Sequence, residues 1–160
     1  PMRKISSLVI AGVAFIGALS FAATASAQNP VGVWKVNLAK SKYSPGPAPK
    51  SATITTTATA DGGFKSVTEA VPATGAPTKS EVTWKFDGKD YPVMGNPNTT
   101  SQSYTKVDAT HYTVVSKAGG KVTVTAKVVL AADGKSRTVT QTGMDAQGKP
   151  VNNVIFYDKQ

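Results

Sequence analysis

The sequence contains no cysteine, a single histidine and, beyond residue 27, a single arginine. Without Cys no disulfide can staple the fold, and no thiol-linked lipid anchor can form within these 160 residues. Stability must come from packing and hydrogen bonds. One His and no Cys leave a metal ion without its usual ligands, which are several His or Cys or a cluster of carboxylates. The nine carboxylates are scattered. Asp61, Asp87, Asp90, Asp108, Asp133 and Asp145 sit in or beside turn sequences, where Asp serves the backbone. Glu69 and Glu81 flank one hairpin and are the pair with a route to acid–base work. His111, next to Tyr112 after a turn, reads as solvated or capping rather than catalytic. There is no Gly-x-Ser-x-Gly elbow for a nucleophile and no glycine-rich loop ahead of a helix for phosphate. The expectation is a protein that is not an enzyme and uses no metal and no cofactor.

Long apolar runs are equally scarce. The one present follows Met2, Arg3 and Lys4, extends from Ile5 to Ala23, and is followed by Ala25-Ser26-Ala27. A positive start, an apolar middle and an Ala-x-Ala site are the three parts of a secretory signal peptide, so residues 1–27 are assigned to it. An uncleaved anchor is the alternative, because the run nearly reaches bilayer length. Export implies a periplasmic or secreted protein. Residues 28–160 then form one domain of 160 − 27 = 133 residues, enough for a real core.

Of the 18 Lys and Arg, two precede the cleavage site, which leaves 16 against 9 Asp and Glu, a net charge of +7. The basic residues are almost all Lys and are dispersed: Lys50, Lys65, Lys79, Lys89, Lys106, Lys121, Lys135 and Lys149 fall at turns and strand ends. Lysines there keep sheet edges from pairing with other chains. Attraction to an acidic envelope surface is the sharper alternative. Aromatic residues do not interleave with a basic stripe, so nucleic acid is not expected as a partner.

What is abundant is Thr and Val in alternation, with turn signals about every ten residues. The first strand is read as Val31 to Leu38, with Trp34, Val36 and Leu38 on one face. "SKYSPGPAPK" breaks regular structure because proline fixes φ and removes a donor. In "KSEVTWKF", Val82, Trp84 and Phe86 point one way. In "KVTVTAKVVLA", Val122, Val124, Ala126, Val128 and Leu130 form the longest apolar face. Asp-Gly-Gly and two Asp-Gly-Lys turns join the strands. The fold class is all-β: an antiparallel up-and-down meander of 8–10 strands. Closure into a barrel removes its edges.

The Gly32-Val33-Trp34 motif on the first strand of such a barrel resembles the lipocalin and fatty-acid-binding-protein group, the calycins. "IFYDK" (residues 155–159) is similar to the closing strand of the fatty-acid-binding proteins. The mature chain is also similar to small exported bacterial proteins that begin G-x-W-K and end in a "DAQGKPVNN…Y" hairpin. The resemblance implies that Trp34 closes one barrel end and that Gly32 admits a close neighbour there. The fatty-acid-binding group places an Arg two residues before its terminal Tyr. Here Tyr157 matches the Tyr, and Ile155 takes the Arg position. Its helical lid would fall in "SKYSPGPAPK", which cannot form helices.

Arg137 shares strand parity with Val139 and Gln141. Three arrangements are open. Arg137 and Gln141 face inward beside Tyr157 and hold an anionic head group. Thr138 and Thr140 face inward and Arg137 is solvated. Or Arg137 stacks on Trp34. Small and polar inward faces elsewhere underfill a barrel of this size, which leaves room for a ligand. The function expected is an exported monomeric protein that binds a small hydrophobic or amphiphilic, anionic molecule. Trp84, Phe86, Tyr104, Val124, Val128 and Ile155 line the interior, and Arg137 with Tyr157 anchors the polar group. The alternative is a cell-envelope interaction domain with a filled core and a Lys-rich working surface.

Overall fold

A computed structural model describes residues 29–160. The segment read as a signal peptide lies outside the described residues. Ten strands follow in order: β1 (Gly32–Val36), β2 (Ser51–Ala58), β3 (Phe64–Val71), β4 (Thr78–Trp84), β5 (Asp90–Met94), β6 (Ser101–Lys106), β7 (His111–Ala118), β8 (Lys121–Leu130), β9 (Ser136–Met144) and β10 (Pro150–Lys159). Each pairs antiparallel with its sequence neighbours, and β1 closes on β10. The meander is therefore a closed barrel, and among the described residues there is no helix.

The turns work as their Asp residues require. Asp87, Asp108, Asp133 and Asp145 each accept the backbone N–H two residues ahead, at 3.1, 2.8, 2.9 and 2.9 Å. A short carboxylate mimics a backbone acceptor in this way and fixes where each strand reverses. Alternation then sends one set of side chains inward along every strand.

Two segments differ from the sequence expectation. β1 ends at Val36, and Leu38 is 40% exposed in the turn that follows. The Ser41 hydroxyl stabilises this break, accepting the Phe156 N–H at 2.9 Å and donating to the Asn37 carbonyl at 2.7 Å. The chain then rejoins β10, where Lys42 and Val154 exchange both backbone bonds at 2.7 and 2.8 Å. The proline-rich stretch thus begins as a continuation of the β1 edge, with Tyr43 packed against the core. In β8, a bulge against Ser116 and Lys117 shifts the register, and Val122 leaves the inward row to become 53% exposed.

The barrel has two unlike ends. The turns after β2, β4, β6 and β8 meet both described termini at one end. There the Trp34 indole donates to the Pro30 carbonyl at 2.8 Å, and the Gln160 N–H reaches the Val33 carbonyl at 2.9 Å. The loops after β3, β5, β7 and β9 surround the other end.

Candidate functional site

Trp34 is fully buried and closes the first end. It lies opposite Lys159 on β10 and Ile54 on β2. The Lys159 ammonium stands 5.3 Å from the indole centroid, and the Lys159 stem lies where a side chain on Gly32 would have to go. Gly32 therefore admits a close neighbour at the barrel end.

Arg137 sits against the inner side of this plug. Its inward parity is shared with Val139 and Gln141, so the solvated arrangement does not occur. Inward placement and stacking on Trp34 turn out to be one arrangement. The guanidinium carbon is 4.6 Å from the Trp34 centroid and 5.1 Å from the Tyr157 centroid. Arg137 and Tyr157 face each other across β9 and β10. The guanidinium beside the terminal Tyr is supplied by the neighbouring strand, while Ile155 fills the position two residues before Tyr157.

Arg137 is only 4% exposed, yet among the described residues no carboxylate meets it. Of the N–H donors on its guanidinium, Nη1 reaches the Tyr112 hydroxyl at 3.3 Å. Its Nε is buried with no acceptor among the described residues. Burying a cation without an anion is costly, and cation–π contact offsets only part of that. Burial raises the Tyr157 pKa, opposed by the Arg137 charge and reinforced by Tyr112. The phenol stays a neutral donor.

A cavity of about 330 Å³ extends from Arg137 toward the loop end. One wall is aromatic. Trp84 and Tyr104 stack with centroids 3.9 Å apart, and Trp84 lies 6.4 Å from Tyr112. Phe64 and Phe86 pack against Trp84 at 4.7 and 4.9 Å. The Trp84 indole donates to the Ser66 hydroxyl at 2.9 Å, and Ser66 bonds Thr56 at 3.0 Å. Tyr104 donates to Gln102 at 2.7 Å, and burial raises its pKa far above the usual phenol value. The opposite wall is aliphatic: Val124, Ala126, Val128 and Val139. Polar side chains including Ser80, Asn96, Thr99, Ser116 and Gln141 ring the mouth.

The sequence-derived residues fall unevenly on this geometry. Arg137, Tyr157, Trp84, Tyr104, Val124 and Val128 all border the cavity. Phe86 and Ile155 pack in the core without bordering it. Gln141 faces the cavity one valine further toward the mouth than Arg137, and its carbonyl accepts from Asn153 at 3.0 Å. Glu69 and Glu81 do not meet: Glu69 pairs with Lys79 at 3.4 Å and Glu81 with Lys65 at 3.1 Å. His111 Nδ1 lies 2.8 Å from Asp108 in an exposed turn, a capping arrangement. Among the described residues no group of three or more His, Cys, Asp or Glu could hold a metal ion. Tyr112 and Ser66 were missed by the sequence reading. Tyr112 carried a usable signal, since it alternates with Val114.

No protein-family model matches the chain, and no curated protein sequence matches it. Among solved structures, the chain is similar to the crystal structure of the wild-type fluorescent protein UnaG. The TM-score is 0.54 and the identity 21%, over 81% of this chain and 96% of that one. At that identity the likeness speaks for the fold alone, a closed antiparallel β-barrel.

Proposed function

We propose that the chain is an exported, non-enzymatic carrier that holds a small amphiphilic anion inside its barrel, with the anionic group on Arg137. The observation that carries this reading is the buried guanidinium at the inner end of the cavity. Among the described residues its Nε has no acceptor and no carboxylate pairs with it. An anionic ligand would supply the missing charge, and Tyr157 and Tyr112 flank the place where it would sit. The cavity volume falls in the range of small-molecule sites. The cavity weighs against the filled core on which the alternative of an envelope interaction domain rests.

Charge along the barrel axis favours the same reading. The connections around the mouth carry Lys40, Lys42, Lys50 and Lys149 against Asp145. The turns at the closed end carry Asp61, Asp87, Asp108 and Asp133 against Lys85, Lys89 and Lys135. An anion is drawn to the first end rather than the second. The leader-like residues 1–27 support export to the periplasm or beyond.

Titration calorimetry with decanoate and decanol tests the proposal. Decanoate binds, decanol binds at least about ten-fold more weakly, and Arg137→Met erases the difference. Equal affinities in the unaltered chain would remove the anionic reading. Failure of both to bind, with no extra mass released on denaturing protein purified from its own host, would remove the carrier reading.

A further inference from the structure

Resting on the carrier reading above, we infer that the ligand has two polar ends. An anionic group sits on Arg137, and a neutral hydrogen-bonding group lies at the mouth, with an apolar middle between them.

Three strands repeat one inward pattern. From the closed end outward, β4 presents Trp84, Val82 and Ser80 to the cavity. β7 presents Tyr112, Val114 and Ser116. β9 presents Arg137, Val139 and Gln141. Each runs from a large ring or a cation, through one valine, to a polar group. At about 3.4 Å per residue, Gln141 stands ~14 Å along β9 from Arg137. That is the length of an extended chain of about ten carbons, so one molecule can reach both ends.

The outer groups are only partly occupied by the protein. The Gln141 carbonyl accepts from Asn153, which leaves its amide nitrogen without a protein acceptor. Ser116 accepts from Gln102 at 3.1 Å, whereas the Ser80 hydroxyl makes no side-chain bond. In the empty barrel, water meets these groups. A plain alkyl tail would displace that water and return no hydrogen bond, at about ten-fold in affinity for each orphaned group. A terminal hydroxyl, amide or ketone replaces the water. The far group is neutral because, among the described residues, the mouth offers neither an inward cation nor a free carboxylate. Glu81, the carboxylate that borders the cavity, is held by Lys65.

The test is titration calorimetry of the full chain with 10-hydroxydecanoate beside decanoate. The hydroxy acid binds at least about ten-fold more tightly. Gln141→Leu abolishes that preference, with the melting profile confirming the fold. Ser80→Ala serves as a second variant should Gln141→Leu not fold, and it lowers the preference in the same direction. Equal or tighter binding of decanoate by the unaltered chain would overturn the two-ended ligand and leave the Arg137-anchored carrier standing. Absence of binding by both acids would remove the carrier reading and this inference with it.

Discussion

The Arg137 guanidinium and the Trp34 indole are in contact at the closed end of the barrel, 4.6 Å from carbon to ring centroid. The contact joins the two halves of the site. Trp34 seals the end against water, and the seal makes Arg137 a buried charge. Arg137 in turn faces a cavity rather than a carboxylate. A purely structural Arg here would be expected to have its donors satisfied, and its Nε has no acceptor.

This leads to an asymmetry between two substitutions. Arg137→Met keeps most of the packing volume against Trp34 and removes a charge that no anion balances. The variant is expected to unfold in urea at the same or a higher midpoint, because an apolar replacement of a buried charged group is often neutral or stabilising. Trp34→Ala removes a fully buried ring and is expected to cost about 3–5 kcal/mol. A large loss of stability in Arg137→Met would mean that the residue is kept for the fold rather than for a ligand.

The strands and their turns were legible because each rests on local chemistry, alternation and Asp-Gly turns, whereas the Trp34 plug was legible only through the resemblance that Gly32-Val33-Trp34 carries. The depth of the site was not. Parity placed Arg137 and Gln141 on one face, but parity does not distinguish rungs of a barrel, and Val139 separates the two. The end of β1 at Val36 was hidden because Leu38 continues the apolar alternation. The break depends on Ser41 meeting Phe156 from the far end of the chain. Tyr112 was within reach, since the argument used for Arg137 also turns Tyr112 inward with Val114.

Ser66 is the acceptor for the one polar atom of Trp84, at 2.9 Å. Ser66→Ala leaves the buried indole N–H with no partner and takes a hydroxyl away from Thr56. The expected loss is about 1–3 kcal/mol by urea unfolding. Ser66→Thr, which keeps the hydroxyl, should recover part of it. If Ser66→Ala is neutral, water from the cavity is satisfying Trp84, and the aromatic wall is wetter than its burial implies.

Stability is bounded by pH on both sides. Hydrogen bonds from the Thr59 side chain and then Lys85 hold the Asp61 pKa down to about 2. Backbone and side-chain bonds from Thr110 and His111 hold Asp108 down to about 2. Both folded values lie below the unfolded value near 4, so the stability they contribute is present above about pH 4 and is lost as pH falls toward 2. Tyrosines act at the other limit. Burial first, then Tyr157, raises Tyr43 to about 12, and burial raises Tyr104 and Tyr157 as well. A raised phenol stabilises the fold below the unfolded value near 10 and ceases to as pH climbs through the folded value. Phenolate absorbance and near-ultraviolet circular dichroism should therefore change together above about pH 10. Ionisation of these tyrosines with the dichroism intact would show that they are not sealed from solvent.

Two glycines with positive φ separate a soft constraint from a hard one. Gly32 has φ +141° and would meet the flexible stem of Lys159 if it gained a side chain. Gly143 has φ +138° and would meet the backbone carbonyl of Thr123 in the bulged part of β8. Both pay similar backbone strain on gaining a Cβ, of about 1–3 kcal/mol. The lysine stem can swing away, whereas the Thr123 carbonyl is fixed by its place in the sheet. Gly143→Ala should therefore cost about 1–3 kcal/mol more than Gly32→Ala, the range for forcing extra volume into packed structure. Adding Lys159→Ala should recover part of the Gly32→Ala loss and none of the Gly143→Ala loss. Equal urea midpoints for the two single variants would mean that the sheet yields at Thr123, and the bulge would then be a movable part of the barrel rim rather than a fixed one.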